Sequence, residues 1–421
     1  MFLIIACVIV ALLVTLLTGN MALLYGREQK DWEKHNAILR QLVINEWPVH
    51  YEDGKALNYY FAFYLPAALS GKIISPEKTQ IPKGILSIWV ALGLIIGFLL
   101  LIDYVGLNKK KIWKVLIALG VFVLYSGWDW LCRLISLRSF PVPWEHIEWC
   151  AGVVQYSSFV TGISWVPQHF IPALLMTFLI LKSKDTSYLF LIPVLLLWSP
   201  FVAIGSAFFY VLFFVNQIIH KKEFRIRFTD FVGAALISIP IFVFFLLHTK
   251  TNLMPHIVIT PPKYMLFILT ELGSAVLALI LLRKYIKQEN ILIYMTLLVL
   301  IILPLFYFGN LLNDFVMRAS FPFSIFLIAI ILKKLCVLRK KIIVMFVIVI
   351  LLAGSITPIY EMGRVMQGKK MAWADENVDN WRWLWKEQYL GEQKFNIPVI
   401  DFVNKPLLKK DLNTSIDRSD G

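Results

Sequence analysis

The sequence predicts an all-α, polytopic membrane protein, and three observations indicate this class. Hydrophobic residues make up 59% of the 421 residues and charged residues only 16%, which is too much apolar surface for a soluble globule of this length. Apolar runs long enough to cross a membrane recur along the chain. The basic residues behind the net charge of +14 gather in short clusters between those runs, as topology signals do.

We predict about 11 spanning helices, since a span needs about 20 largely apolar residues. The runs lie at roughly 2–25, 84–106, 112–132, 168–183, 187–202, 203–219, 227–248, 265–283, 290–309, 318–333 and 341–360. A shorter segment, 57–72, is predicted to be re-entrant or to lie at the membrane surface. The first run has no basic residues before it and is longer than the apolar core of a signal peptide, so we expect an uncleaved span.

Five basic loops predict the orientation, because Lys and Arg are enriched in cytoplasmic loops. They lie at residues 109–114, 182–184, 221–227, 283–287 and 333–341. All five face the cytoplasm if the N-terminus is cytoplasmic and segment 57–72 does not cross. We therefore predict a multi-pass protein of the cell membrane with a transmembrane domain over 1–360, an external loop over 26–83, an external tail over 361–421 and an external active face.

The lipid bilayer is the partner that this composition predicts. Nucleic acid is not a predicted partner, because the basic clusters lack the interleaved aromatic residues of a nucleic-acid-binding surface.

The first candidate site lies in the external loop after the opening span. Asp31 and His35 are four residues apart and would share one face of a helix over 31–42, which Ile38 and Leu39 would anchor at the membrane surface. We predict Asp31 as a general base and His35 as the group that orients a substrate hydroxyl or phosphate. The alternative is that Asp31 only caps the helix and that His35 is solvated.

Two more features of this loop have a structural and a functional interpretation. Glu52 and Asp53 precede a glycine and fit a turn, although an acidic pair could also bind a divalent cation such as Mg or Mn. Tyr59 and Tyr60 fit an aromatic belt at the membrane boundary; alternatively, they bind the substrate. The sequence shows no complete ligand set, so no cofactor is assigned.

Three later residues on the predicted outer face are candidates for substrate binding. Asp129 lies at the outer end of the run 112–132, where a charge is costly unless it meets water or a partner. Gln155 lies in the long connection 138–168. His169 begins a span at the depth of a lipid phosphate, and the alternative is an ordinary helix start.

Asp314 and Arg318 are spaced i, i+4 on a helix that enters the membrane. The pair could simply neutralise itself. Alternatively, the planar guanidinium of Arg318 could donate two hydrogen bonds to a phosphate. We retain both residues as substrate-binding candidates.

The four cysteines show no paired spacing. They are Cys7, Cys132, Cys150 and Cys336. Only Cys150 lies in a predicted loop, so the sequence predicts neither a disulfide nor a zinc site.

The order of these motifs resembles the GT-C class of polytopic glycosyltransferases, and within it a group of bacterial membrane proteins. The motifs are DWEKHN at 31–36, WPV at 47–49, YYFAFYLPAAL at 59–69, QYSS at 155–158, WVPQH at 165–169 and NDFVMR at 313–318. The resemblance covers roughly residues 1–360. It implies transfer of a sugar from a polyprenyl-phosphate carrier to a cell-envelope acceptor.

The resemblance places the role of base or metal ligand on Asp31. The chain departs from the class in having a single Asp, with Glu33 where an acidic pair would have its second Asp, and in lacking a large soluble domain. We expect a polyprenyl-phosphate-linked sugar as substrate and cell-envelope assembly proteins as potential partners.

Two other functions compete with an enzyme. A transporter or flippase of a lipid-linked glycan would need ionisable residues near the middle of several spans, and the predicted span interiors contain few. A non-catalytic subunit of a glycan assembly complex would need none of the candidate residues. The sequence favours the enzyme.

Overall fold

The apolar runs form α-helices. The computed structural model describes residues 2–20, 32–50, 55–57, 59–74, 80–108, 110–138, 146–152, 154–220, 224–248, 256–257, 263–286, 290–308, 313–367 and 390–392.

The first half of the described chain contributes nine α-helices. They are α1 (Phe2–Leu17), α2 (Trp32–Ile44), α3 (Leu65–Ile74), α4 (Gln80–Val105), α5 (Ile112–Val123), α6 (Asp129–Leu137), α7 (Phe159–Trp165), α8 (Pro167–Lys182) and α9 (Leu191–Trp198). The described helices of the second half are α10 (Pro200–Ile219), α11 (Phe228–His248), α12 (Tyr264–Leu282), α13 (Asn290–Ile302), α14 (Asp314–Ala319), α15 (Phe321–Val337), α16 (Lys341–Gly354) and α17 (Ile356–Gln367).

Short 3-10 helices and two-stranded pairings complete the described residues. The 3-10 helices are Phe61–Phe63, Ile147–Ala151, Ser187–Phe190, Arg283–Tyr285 and Leu303–Leu305. The strands are β1 (Lys55–Leu57), β2 (His256–Ile257), β3 (Phe306–Tyr307) and β4 (Leu390–Glu392). β1 pairs antiparallel with β4, and β2 pairs antiparallel with β3. The first pairing joins the C-terminal tail to the opening loop.

The described residues include six helical segments that are long and apolar enough to cross a membrane. They are Ile81–Val105, Pro200–Ile219, Phe228–Phe245, Tyr264–Tyr285, Asp314–Val337 and Lys341–Gln367. The chain is therefore a polytopic, helical membrane protein. The predicted total of 11 spans is not confirmed, because several runs form shorter helices.

The predicted span 112–132 is wrong in its second half. Helix α5 ends at Val123, and a non-helical segment follows before α6 begins at Asp129. Within this segment the Trp128 N–H donates to the Thr270 carbonyl of α12, at 2.8 Å. Non-helical backbone at membrane depth is stable where neighbouring protein satisfies its hydrogen bonds, and α12 does so here.

Two other breaks follow from proline. Pro167 separates α7 from α8, and Pro200 separates α9 from α10, because proline lacks the N–H that a continuing helix needs. Because the apolar stretch 187–219 is too long for one crossing and contains Pro200, the sequence predicts a tight turn at 198–201, and the second break lies there. The segment 57–72 contains only a 3-10 turn and α3, whose 10 residues are too few to cross a bilayer. That length is consistent with the predicted re-entrant or surface position.

Helix α15 is the centre of the bundle. Its residues from Ile325 to Ile331 are buried on every side of the helix, and it packs against α4, α8, α10 and α12. A helix that is apolar all round belongs in the interior of such a bundle. It therefore forms the interior wall against which α4, α8, α10 and α12 pack.

Helix α2 lies inside the protein, which corrects the prediction that it lies along the membrane surface. His35, Asn36 and Ala37 are each 1% exposed, and consecutive residues point to different sides of a helix. Tyr59 is also buried and Tyr60 half-buried, so these rings are not a lipid-facing belt. The opening loop thus contains a polar helix that is buried in the bundle.

Helix α17 runs past residue 360, where the sequence analysis places the start of the tail. Glu361 lies in this helix and is fully buried. The first residues of the predicted tail therefore belong to the helical bundle.

Candidate functional site

Helix α2 is held at its N-terminus by a buried hydrogen bond. The Trp32 indole N–H donates to the Ser164 carbonyl of α7 at 2.8 Å. Asp31 precedes this anchored residue and lies outside the described residues.

His35 connects α2 to two other segments. Its Nδ1 lies 2.5 Å from the Tyr64 hydroxyl, and its Nε2 lies 3.1 Å from the Trp165 carbonyl. A carbonyl only accepts, so Nε2 carries a hydrogen. In the neutral imidazole, Nδ1 then accepts from Tyr64. The predicted orienting residue is itself oriented by α7 and by the tyrosine-rich segment.

His169 lies in the first turn of α8, on the other side of the tyrosines. Its Nδ1 is 2.5 Å from the Ser199 hydroxyl, and its ring centroid is 5.0 Å from that of Tyr60. Tyr60 in turn lies against Tyr59, with the ring centroids 3.8 Å apart. His169 is fully buried, so its place at a helix start is not that of an ordinary interfacial residue.

Basic residues from two distant parts of the sequence lie near His169. The Arg318 guanidinium of α14 is 5.9 Å from the centre of the Phe201 ring, two residues after the Ser199 that contacts His169. Arg318, His35 and Lys34 all contribute to the electrostatic potential at the His169 ring. These residues are separated by more than 280 positions in the chain. We call the group formed by His35, Tyr60, Tyr64, His169 and Arg318 the His169 cluster.

The His169 cluster contains buried hydrogen-bonding atoms that lack a protein partner. Within the described residues, Nε2 of His169 and both amide atoms of the adjacent Gln168 have none. Both side chains are fully buried. Burying a polar atom without a partner is costly, so water or a ligand is expected to satisfy these atoms.

Asp314 and Arg318 form the ion pair that their spacing predicts. Arg318 Nη2 lies 3.0 Å from Asp314 Oδ1, and the side chains are 13% and 38% exposed. The guanidinium also lies 5.9 Å from the centre of the Phe201 ring. The pair is therefore the partly exposed edge of the otherwise buried cluster.

Asp129 lies in a second group, on the far side of Trp165. Its Oδ2 accepts hydrogen bonds from the Ser126 hydroxyl at 2.8 Å and the Thr357 hydroxyl at 2.9 Å. Burial and the nearby charge of Glu148 raise the pKa of Asp129 to about 6. The residue is fully buried and does not face the predicted outer water.

Gln155 belongs to the same group. Its side-chain amide donates to Glu148 at 3.1 Å and to the Ser157 hydroxyl at 3.0 Å. Glu148 also accepts from the Ser158 N–H at 2.9 Å and the Thr161 hydroxyl at 2.6 Å. Ser158 caps α7 by accepting from the Thr161 N–H, and Glu148, supported by Gln155, holds both of these residues in place.

His146 lies between two buried carboxylates. Its Nδ1 is 2.7 Å from Glu361 and its Nε2 is 3.4 Å from Glu148. Burial lowers the pKa of His146, but the two carboxylates outweigh it and raise this pKa to about 10. Arg364 adds a second cation 2.8 Å from Glu361.

Trp165 connects the two groups. Its carbonyl lies against His35, its indole N–H donates to Glu361 at 3.4 Å, and the Arg364 guanidinium lies 5.7 Å from its ring centre. We call the group of Asp129, His146, Glu148, Glu271 and Glu361 the acid network. Trp165 therefore contacts residues of both groups.

Cys132 and Cys150 form a disulfide, which corrects the prediction from spacing. The bond joins α6 to the 3-10 helix that carries Glu148. The prediction was wrong because Cys132 lies on the separate helix α6 rather than inside a span. The bridge therefore links the helix that begins at Asp129 to the 3-10 helix that carries Glu148.

No metal site is visible within the described ranges. They contain no group of three or more His, Cys, Asp or Glu side chains placed to hold an ion. Asp31, Glu52 and Asp53, on which the Mg or Mn alternative depends, lie outside those ranges.

Three residues of this region were not predicted as site residues, namely Glu271, Glu361 and Arg364. Glu271 is a lone acid in the apolar run 265–283, a signal that was visible, since a charge at that depth is costly without a partner. Glu361 was assigned to the tail. Arg364 had no distinguishing pattern.

No protein-family model, curated protein or solved structure matches this chain.

Proposed function

We propose that this protein is a membrane glycosyltransferase of GT-C type that transfers a sugar from a polyprenyl-phosphate donor to a cell-envelope acceptor. The observation that carries the proposal is the convergence of α2, α8 and α14 on the tyrosine-rich segment and on the residues from Ser199 to Phe201. A cation, two imidazoles and phenol hydroxyls come together there, next to the residue that follows Asp31. These are the groups that a sugar phosphate requires.

Each group has a role in the proposed transfer. Asp31 takes the proton from the acceptor hydroxyl as general base. Arg318 and His169 bind the leaving phosphate, so that the charge developing on it is stabilised. His35, Tyr59 and Tyr60 orient the sugar hydroxyls. Asp314 holds Arg318 in place until the phosphate binds.

The outer face of the cell membrane is the proposed location. The Cys132–Cys150 disulfide supports it, because disulfides persist on the oxidising, outer side of a bacterial membrane and are rare in the cytosol. Both cysteines follow the basic loop 109–114, which is predicted to be cytoplasmic. The oxidised segment is thus expected on the side opposite to that loop.

The test is transfer from a labelled polyprenyl-phosphate sugar by the purified protein, with a cell-envelope fraction as acceptor. We expect Asp31→Asn to lower turnover by about 100-fold or more, the contribution typical of a general base. Arg318→Lys keeps the charge but loses the two-pronged donor, so it should weaken donor binding. Asp103→Asn, a change at an exposed acid on α4, is the matched control. Full activity in Asp31→Asn would refute the assignment.

One observation favours a second candidate, a transporter of a lipid-linked glycan. Glu271 lies in the middle of the membrane-crossing helix α12, where ionisable residues often mark a transport path. Proteoliposomes containing the purified protein would show movement of a labelled polyprenyl-linked sugar between leaflets. Movement without sugar transfer would favour this candidate over the enzyme.

A further inference from the structure

The break between α5 and α6 places Asp129 directly beside Glu271. At Gly127 in this break, a Cβ atom would lie 2.4 Å from Glu271 Oε2 and 2.6 Å from the Glu271 Cα. Only glycine, which has no Cβ, permits the backbone to approach α12 this closely. The close approach places both carboxyl groups, which are 0% and 4% exposed, at the same contact between the break and α12, where each acts electrostatically on the other.

The hydrogen bonds of the two carboxyl groups leave one oxygen of each without a donor. Asp129 Oδ2 accepts from Ser126 and Thr357, and Glu271 Oε1 accepts from the Tyr156 N–H at 3.4 Å. Asp129 Oδ1 and Glu271 Oε2 have no donor among the described residues. Two ionised carboxylates cannot hydrogen-bond, since neither has a hydrogen to donate.

The titratable groups that act on the pair are acidic, although α6 also carries the buried cation Arg133 one turn after Asp129. Glu148 acts on both carboxyl groups, and the phenols of Tyr125 and Tyr156 act electrostatically on Glu271. In the described part of the chain, neither Asp129 nor Glu271 has a Lys, Arg or His partner. Glu361 and Glu148 differ, because they contact His146. Charge in the acid network is therefore balanced everywhere except at this pair.

We propose that Asp129 and Glu271 form a proton-binding site that holds one shared proton at neutral pH. The proton bonds one carboxyl to the other and so links α6 to α12 across the helix break. Its loss to a base leaves two like charges in contact in a buried site, which favours separation of the two helices. The site takes no other ligand in this proposal, and its chemistry is a single reversible protonation.

The experiment is infrared difference spectroscopy of the purified protein between acidic and alkaline buffer. The wild type should show the carbonyl band of a buried protonated carboxyl at neutral pH, and the band should shift in D2O. Glu271→Gln should remove this band and Asp129→Asn should shift or remove it. The control Asp103→Asn should retain it. A band that is unchanged in both variants of the pair would overturn the proposal.

A milder variant keeps the test decisive if either substitution prevents folding. Ser126→Ala removes one donor to Asp129, which disfavours the ionised pair. The proton should then be lost at a higher pH than in the wild type, and sugar transfer need not be measured. An unchanged titration of the band, or no protonated band in the wild type at neutral pH, would refute the shared proton.

Discussion

At the scale of the residue, His146 predicts how stability depends on pH. Its pKa is raised from 6.5 to about 10 by two carboxylates, so the folded state binds its proton more tightly than the unfolded state. This contribution to stability is fully present below pH 6.5 and is lost as pH rises toward about 10. Thermal unfolding in detergent, measured from pH 6 to 10, should show a falling midpoint.

The matched variant is His146→Gln, which removes the charge. It leaves Glu361 and Glu148 without a shared cation, so we expect a loss of about 3 to 5 kcal/mol, typical of a broken buried ion pair. The remaining dependence on pH between 6.5 and 10 should be weaker than in the wild type. An equal slope in both proteins would contradict the imidazolium assignment.

At the scale of the element, Gly205 sets the packing of α10 against α14. A Cβ at this position would lie 2.3 Å from the Ala319 carbonyl oxygen, and backbone cannot yield as a side-chain end can. We expect Gly205→Ala to cost about 1 to 3 kcal/mol and to displace the neighbouring Arg318. Thermal unfolding and donor turnover measure the two effects.

The control for this change is Gly233→Ala in α11, where a Cβ would meet nothing within 4 Å. It should leave stability unchanged or raise it by up to about 1 kcal/mol, because alanine favours a helix over glycine. Equal behaviour of the two variants would show that the contact of α10 with α14 is unimportant.

The disulfide between α6 and the 3-10 helix is the second element whose loss has a measurable effect. The two cysteines are separated by 18 positions, so the bridge should stabilise the fold by about 3 kcal/mol. Cys132→Ala with Cys150→Ala should lower the unfolding midpoint and abolish its response to reductant. Cys7→Ala with Cys336→Ala changes only free thiols and should retain that response.

At the scale of the whole molecule, the basic loops and the disulfide predict the same orientation. A green fluorescent protein fused after Lys184 should fluoresce, since that loop is predicted to be cytoplasmic. An alkaline phosphatase fused after Gly421 should be active, since it folds only outside. The reverse pattern would place the His169 cluster in the cytoplasm and contradict the proposed outer site.

Much of the helical bundle could be predicted because apolar length is a local property of the chain. The break at Pro200 was predicted for the same reason, since proline disrupts a helix wherever it occurs. The unwound segment before Asp129 could not be predicted, because its stability depends on a carbonyl at Thr270. The burial of α2 could not be predicted either, since its polar residues form hydrogen bonds with distant segments of the chain.

The candidate site, too, could be predicted only in part. His35, His169 and Arg318 were identified because polar residues are unusual near apolar runs. Their proximity to one another is visible only in the tertiary structure. Asp129 and Gln155 were also found, but as members of the acid network rather than of the His169 cluster. Whether Asp31 joins either group stays a prediction.

The sequence by itself determined that this chain is a helical membrane protein, because the apolar content of each run decides its preference for lipid. Only the tertiary structure decided which polar residues meet. The free energy of a buried charge depends on its neighbours, and those neighbours come from helices that are hundreds of positions apart.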